Sequence, residues 1–445
     1  MAVHGHPRLR ELGSPPFTAG FHGTAPAPPR CCRDKRGNRV AATNKRDLRT
    51  GRSIWLSHRL PAISHQEISR SFGTEVLIVG AGISGAMVAD ALASDGHEVV
   101  LIDRRGPLKG STPATTALVQ YEIDEPVISL ARKIGVRDAE RSWRRTHQAV
   151  QNIAARIEEL GIDCGLRRRN SLYLAGNMLS ASDLKRECAA RRLAGIETIY
   201  LTRSEIEARY GITGRSGALV GYGNLAIEPV KLAAGLLRHA EKRGARIYAP
   251  AEMSGFEASS RQVRVTLTGG TTITCNTLIL CSGYEIPKVV PQRGHRIIST
   301  WALATKPQPA DLWPEQCFIW EASDPYLYMR TTPDGRVICG GEDEEFADEI
   351  KRDGMLDKKI AAIRRKLARM FPDLDTTPEF AWTANFGMSV TGLPSIGSIP
   401  GKPRVHALLG YGGNGITYSR IGAELLRAAL AGTPDPDADL FAFTA

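Results

Sequence analysis

Short apolar runs alternate along this chain with stretches where apolar residues recur every three or four positions. The sharpest change of period lies between Glu75 and Arg105. Val76 to Val79 form a continuous apolar run, as in a strand buried on both faces. Ile83 to Ser94 suit a helix, Gly96 ends it, and Glu98 to Ile102 predict a second strand, together a βαβ unit. Pro126 to Gly161 predict one or two amphipathic helices, with Val150, Ile153, Ile157 and Leu160 on one face. Arg167 to Ala175 predict a strand and Ala181 to Ala194 a charged helix. A long helix is expected from Pro229, the residue type favoured at a first helical position. The following stretch predicts a strand, a crossover hairpin and a buried strand, Leu278 to Cys281, that runs into Ser282-Gly283. Between His295 and Gly341 the period is that of strands: Ile297 to Thr305, Tyr326 to Arg330, then a Pro333-Asp334-Gly335 turn and Val337 to Cys339. This predicts an antiparallel sheet, unlike the βαβ opening. Asp357 to Met370 predict a basic amphipathic helix, and Leu408-Leu409 lead through a glycine loop into a helix ending near Leu430.

The turn inside the βαβ unit carries chemistry. Gly80, Gly82 and Gly85 have the G-x-G-x-x-G spacing. The first glycine permits the tight turn, the second lets backbone approach a pyrophosphate, and the third lets the helix sit close to the strand. The helix N-terminus would face the phosphates. Asp103, ending the second strand, is placed to accept hydrogen bonds from a ribose 2′-OH, which favours FAD or NAD over NADP. A Thr-rich loop, Gly106 to Asp124, follows as a candidate cofactor-contacting segment. The tail loop, Gly410 to Thr417, offers backbone N–H groups at a second helix start.

Composition narrows the class. The chain has 445 residues, 42% of them hydrophobic and 24% charged, and no apolar run long enough to span a membrane. Its eight cysteines show no C-x-x-C pairing and no ordered spacing with histidines, so reduced thiols are expected rather than disulfides or a metal site, in a cytoplasmic protein. The net charge of +11 is uneven: residues 1–70 hold 13 Lys/Arg and 4 Asp/Glu, or +9, leaving +2 for the rest. The basic character belongs to the leader, which argues against nucleic acid as a partner of the body. Residues 1–45 are expected to be disordered, with either transit-peptide character or an over-extended reading frame as their origin.

With the βαβ opening, the Thr-rich loop, the Ser282-Gly283 turn and a tail reading FGMSVTGLPSIG then GYGGNGIT, the chain resembles the D-amino-acid oxidase family, roughly over residues 70–442. That resemblance implies an α/β fold: a Rossmann-like FAD-binding domain with an inserted α+β substrate domain containing a mostly antiparallel sheet. The expected boundaries put FAD-binding segments at 46–125, 223–293 and 384–445, and the substrate domain at 126–222 and 294–383. It implies oxidation of a C–N bond by hydride transfer to flavin, with a small-molecule amine as substrate and oxygen or another acceptor for the electrons. By the same resemblance Gly80, Gly82, Ile83, Ser84 and Gly85 would hold pyrophosphate, and Asp103 with Arg104 the adenosine ribose. Ser111, Thr112, Thr115 and Thr116 would lie along the ribityl and isoalloxazine, and Met253 would contact adenine. Ser282, Gly283, Gly392, Leu393, Gly412, Gly413, Asn414, Gly415, Ile416 and Thr417 would form the remaining flavin-site turns.

Three departures bear on activity. Where glycine and D-amino-acid oxidases place an arginine for the substrate carboxylate, this chain has Phe386, flanked by Asn385 and Gly387. Ala384 stands where relatives attach flavin through cysteine, so FAD is expected to be non-covalent. No lysine occurs at Val337 to Cys339, the rough match to an oxygen-activating lysine, which leaves open a dehydrogenase passing electrons to a quinone or protein. Gln120, Tyr121 and Glu122 are candidate substrate contacts, Arg330 a candidate anion contact, and Trp382 a candidate pocket cap. The readings to be separated are this flavoenzyme, an NAD-dependent enzyme with the same opening, and a flavin domain tethered to nucleic acid.

Overall fold

The computed structural model describes residue 43, residues 45–290 and residues 294–443; the expected leader lies almost wholly outside them. The βαβ unit is present. Strand Phe72–Val79 pairs in parallel with Val99–Ile102 on one side and Thr272–Leu280 on the other, and helix Ile83–Ser94 connects the first two. Arg246–Tyr248 and Val405–Leu409 extend this parallel core at its two sides, and Ser395–Ser398 adds antiparallel to the latter. The strands Met253–Ala258 and Val263–Leu267 form the expected crossover hairpin. Val76, Leu77, Ile78, Val99, Val100, Leu101 and Ile102 are all at most 1% exposed, as a sheet covered on both faces requires. Helix Ile83–Ser94, built of small residues, fits between this sheet and the helices Pro229–Lys242 and Gly415–Leu430.

The second sheet has ten strands and is antiparallel except where Phe318–Glu321 runs parallel to Arg167–Leu174. Its longest strands, Pro378–Ser389 and His295–Thr305, pair along nearly their whole length. Helix Leu356–Met370 packs its apolar stripe against it. An α/β fold with a mostly antiparallel second sheet therefore stands.

Two elements depart from the sequence expectation. Strand Arg49–Arg52 adds to the edge of Pro378–Ser389, so the second sheet begins with a segment expected on the FAD side, and Pro378–Ser389 itself continues past residue 383. Gly217–Ala226, a long strand at the heart of the second sheet, was not expected at all. Its glycines hide the period-2 signal. Gly221 is needed there: a Cβ would stand 2.3 Å from Glu122 Oε1 and 2.6 Å from the Tyr121 hydroxyl.

Candidate active site

A long cavity opens at the carboxyl ends of the parallel strands, where open α/β sheets bind ligands. The glycine turn forms one wall. Gly80 has φ +114°, and a Cβ there would sit 2.3 Å from the Cys281 carbonyl oxygen. A Cβ on Gly85 would lie 1.8 Å from the Gly80 carbonyl oxygen, so the helix meets the turn backbone to backbone. Gly82 caps the helix with no side-chain acceptor, and no acid stands in its first turn. The opposite wall carries Gly413, Gly415 and Ile416, at the start of a second helix whose N-cap, Asn414, also lacks a side-chain cap bond. Two helix N-termini thus face one cleft, which suits an anionic ligand.

At one end of the cleft, Asp103 accepts from the backbone N–H groups of Ala81, Arg105 and Gly106 at 2.8 to 2.9 Å. Met253 lines that end, as do Arg104 and Arg105. Both arginines pair with buried Glu285, and Arg105 does so through two bonds of 2.6 and 2.7 Å. Glu285 also accepts from the Arg46 N–H at 2.6 Å. Burial raises the Glu285 carboxyl, but the hydrogen bonds from Arg105 and Arg104 outweigh it, so the net shift is downward and the group stays ionised.

At the other end Ser111, Thr115, Tyr284 and Gly413 line both this cleft and a second chamber. Thr112 accepts from the Ile83 N–H at 3.0 Å. The Thr-rich loop is held from behind: Ser53 donates to the Pro113 carbonyl at 2.5 Å, Trp55 to Thr115 at 2.6 Å and Trp382 to Ala114 at 2.8 Å. Trp382 is therefore a core brace for the loop, 1% exposed and outside the chamber lining, and not the pocket cap that was its other reading.

Chamber residues arrive in alternation. Leu118, Gln120, Glu122 and Asp124 face the chamber, whereas Val119, Tyr121 and Ile123 face the core. The segment continues the short strand Leu118–Val119, and extended backbone turns successive side chains to opposite sides. Tyr121 thus departs from the expected substrate contact: its ring lies edge-on to His147 and Trp143, with centroids 5.0 and 6.2 Å away. Arg330 departs too. It is 2% exposed, lines neither cavity, and donates to the carbonyls of Ala117 at 2.7 Å and Ile227 at 3.0 Å. Burial pushes its guanidinium down to about 9.

Glu122 is 2% exposed. Its Oε1 accepts from Ser171 and from Asn224, while Oε2 has no partner among the described residues. Burial pushes its carboxyl above the ordinary range, against the pull of Arg191 and these donors. Asp124 is exposed along the chamber lining and accepts from the Gly413 N–H at 2.8 Å; the protein packed around it raises its carboxyl as well. The far walls carry Thr300, Trp320, Tyr326, Tyr328, Asn385 and Phe386. Burial keeps the Tyr284, Tyr326 and Tyr328 hydroxyls neutral, and Tyr326 donates to Asp343 at 2.8 Å. Asp343 is itself pushed up to about 6 by burial. Among the described residues no lysine, arginine or histidine lines the chamber.

Most expected cofactor residues therefore face the two connected cavities. Gly85, Gly392, Leu393 and Thr417 do not: they pack beneath the loops, with Thr417 donating to the Gln120 carbonyl at 2.7 Å. Asp124 and the tyrosines were missed; period-2 counting from Glu122 would have reached Asp124, but nothing local pointed to the tyrosines.

The profile of the family described as DAO, FAD dependent oxidoreductase, matches residues 75–429. The chain belongs to this family. It is an FAD-dependent oxidoreductase, and the cleft's two uncapped helix starts and glycine turn fit the dinucleotide. It is 23% identical over 376 residues to the gamma-glutamylputrescine oxidoreductase of Escherichia coli K12, covering 82% of this chain and 85% of that one. It is 26% identical over 367 residues to a probable oxidoreductase, OrdL, of Rhizobium meliloti, covering 79% and 81%. The crystal structure of glycine oxidase from Geobacillus kaustophilus superposes with a TM-score of 0.69 at 20% identity, covering 84% of this chain and 98% of that one, and shows the same fold. Among the described residues no helix is long and apolar enough to cross a membrane, and no group of three or more His, Cys, Asp or Glu side chains could hold a metal ion.

Proposed function

We propose that this protein oxidises the C–N bond of a small amine or N-substituted amino acid. The supporting observation is a chamber that shares Ser111, Thr115, Tyr284 and Gly413 with the dinucleotide cleft and has the carboxylate residues Glu122 and Asp124 in its lining. The glycine turn, Asp103, Met253, the Thr-rich loop and the Gly412–Gly415 loop would hold FAD, which would supply the hydride acceptor. Glu122 takes the proton of the substrate ammonium and so frees the nitrogen lone pair to form the C=N bond as hydride leaves carbon. Water then hydrolyses the imine to a carbonyl compound and an amine or ammonia. The aromatic walls exclude solvent and fix the pose.

Non-covalent attachment of FAD is supported by Ala384 in the chamber wall. Cys281, the thiol lining the cleft, is 6% exposed and pushed up by burial, which makes it a poor nucleophile. The second reading is a dehydrogenase that passes electrons to a quinone or a protein. The chamber's lack of lining cations among the described residues favours it, because no positive charge is there to stabilise reduced oxygen.

Anaerobic mixing of the yellow protein with polyamines, N-methyl amines and amino acids tests both. Bleaching by an amine supports C–N oxidation, and a panel that leaves the colour unchanged refutes it. Rapid return of colour on admitting air excludes the second reading.

A further inference from the structure

The chamber has more negative than positive charge built into it. Glu122 and Asp124 both face it, and among the described residues neither forms an ion pair. The cation nearest Glu122 is Arg191, whose Nε donates to Glu187 at 2.8 Å in a pair almost wholly buried. Arg191 lines neither cavity, and Glu187 is its ion-pair partner among the described residues, although its charge still pulls the Glu122 carboxyl downward. The guanidinium also lies over the Trp143 ring, 4.5 Å from its centroid, and the Tyr173 ring, 5.7 Å away. Asp124 has only the Gly413 N–H and sits beside a second acid, Glu125, which Lys133 neutralises from outside the chamber.

Several polar groups of residues that line the chamber lack partners among the described residues. Among the described residues the indole N–H of Trp320, itself 9% exposed, has no acceptor, and Glu122 Oε2 and Gln120 Nε2 are likewise unmatched. The two neutral donors would suit any acceptor; the charges decide between ligands. A carboxylate bound here would face two acids with no lining cation, whereas an ammonium would supply the missing positive charge. Tyr284, Trp320, Tyr326 and Tyr328 add an aromatic lining, and aromatic rings attract alkylammonium groups.

We propose that the chamber selects a cation that carries no carboxylate beside its reacting carbon, a primary or N-alkyl amine, with Glu122 and Asp124 as its two anionic contacts and the tyrosine–tryptophan wall against its alkyl groups. This rests on the function proposed above and narrows it by excluding free α-amino acids.

Two inert probes of similar size and opposite charge, benzyltrimethylammonium and benzoate, test it on the FAD-loaded protein. Binding is read from the flavin absorbance and from tryptophan fluorescence. Saturable binding of the ammonium at least ten-fold tighter than benzoate is expected. Glu122→Gln and Asp124→Asn, each checked for unchanged FAD content, are expected to weaken the ammonium at least ten-fold and benzoate not at all. Tighter binding of benzoate, or ammonium affinity unchanged in both variants, overturns the inference while leaving a flavoenzyme. Protein that retains no flavin overturns both the function and the inference.

Discussion

The hydroxyls of Ser84 and Ser419 lie 2.7 Å apart although 335 residues separate them. Ser419 also donates to the Gly415 carbonyl at 2.6 Å, so its single proton is committed and Ser84 is the donor between them. The bond joins the helix after the glycine turn to the helix after the tail loop, and so fixes the two N-termini that face the cleft. Ser419→Ala should cost about 1 kcal/mol of stability, as loss of one buried hydrogen bond does. It should weaken FAD several-fold, as measured by titrating apoprotein and following flavin fluorescence.

Gly85→Ala should be far more severe. Its methyl would meet a backbone carbonyl, not a side chain that can turn aside, so the helix must lift from the strand. A cost of about 1–3 kcal/mol, or more, is expected. The measurements are Tm and the ratio of flavin to protein absorbance after purification, and an unchanged ratio would contradict the close helix–turn packing.

Trp55→Phe keeps the ring but removes the N–H that holds the Thr115 carbonyl. A loss of about 1 kcal/mol in FAD affinity is predicted, with Trp382→Phe giving a similar loss through Ala114. Faster release of FAD on dilution in both variants would show that these two braces order the loop.

Gly221→Ala separates the chamber from the cofactor. The added Cβ would displace Glu122, Tyr121 and Ser171, the three side chains nearest to it, none of which lines the dinucleotide cleft. Bleaching by amine should slow at least ten-fold while FAD content stays near that of the parent, whereas parallel loss of both would place Glu122 in a purely structural role.

Asp343 gives a pH test. Its folded carboxyl is raised to about 6, above the ordinary value, so between that ordinary value and about 6 the folded state binds more protons than the unfolded chain. Stability must therefore fall as pH rises through this window, by at most about 3 kcal/mol at 1.36 kcal/mol per unit. Glu122, raised in the same direction, adds to the fall. Asp343→Asn should flatten the curve of Tm against pH between about 4 and 6, and an identical curve would contradict the raised carboxyl.

Local period determined a good part of this protein. The run Val76 to Val79, the glycine spacing and the helix Ile83–Ser94 are read within one window, because strand, turn and helix there are set by neighbours in sequence. Asp103 and the Thr-rich loop follow by distance from that turn. Tertiary structure decided which way side chains face. Leu118–Val119 is too short to announce its register, so only its pairing with Gly217–Ala226 turns Tyr121 into the core and Glu122 and Asp124 into the chamber. Arg330, read locally as either an anion contact or a surface arginine, became a buried support because the carbonyls it reaches belong to segments remote in sequence, as does the one that Trp382 reaches. The chamber's charge is likewise a property of assembly. Acids from one segment meet aromatics from strands some 200 residues later, and burial beyond the reach of any lining cation gives the site its preference.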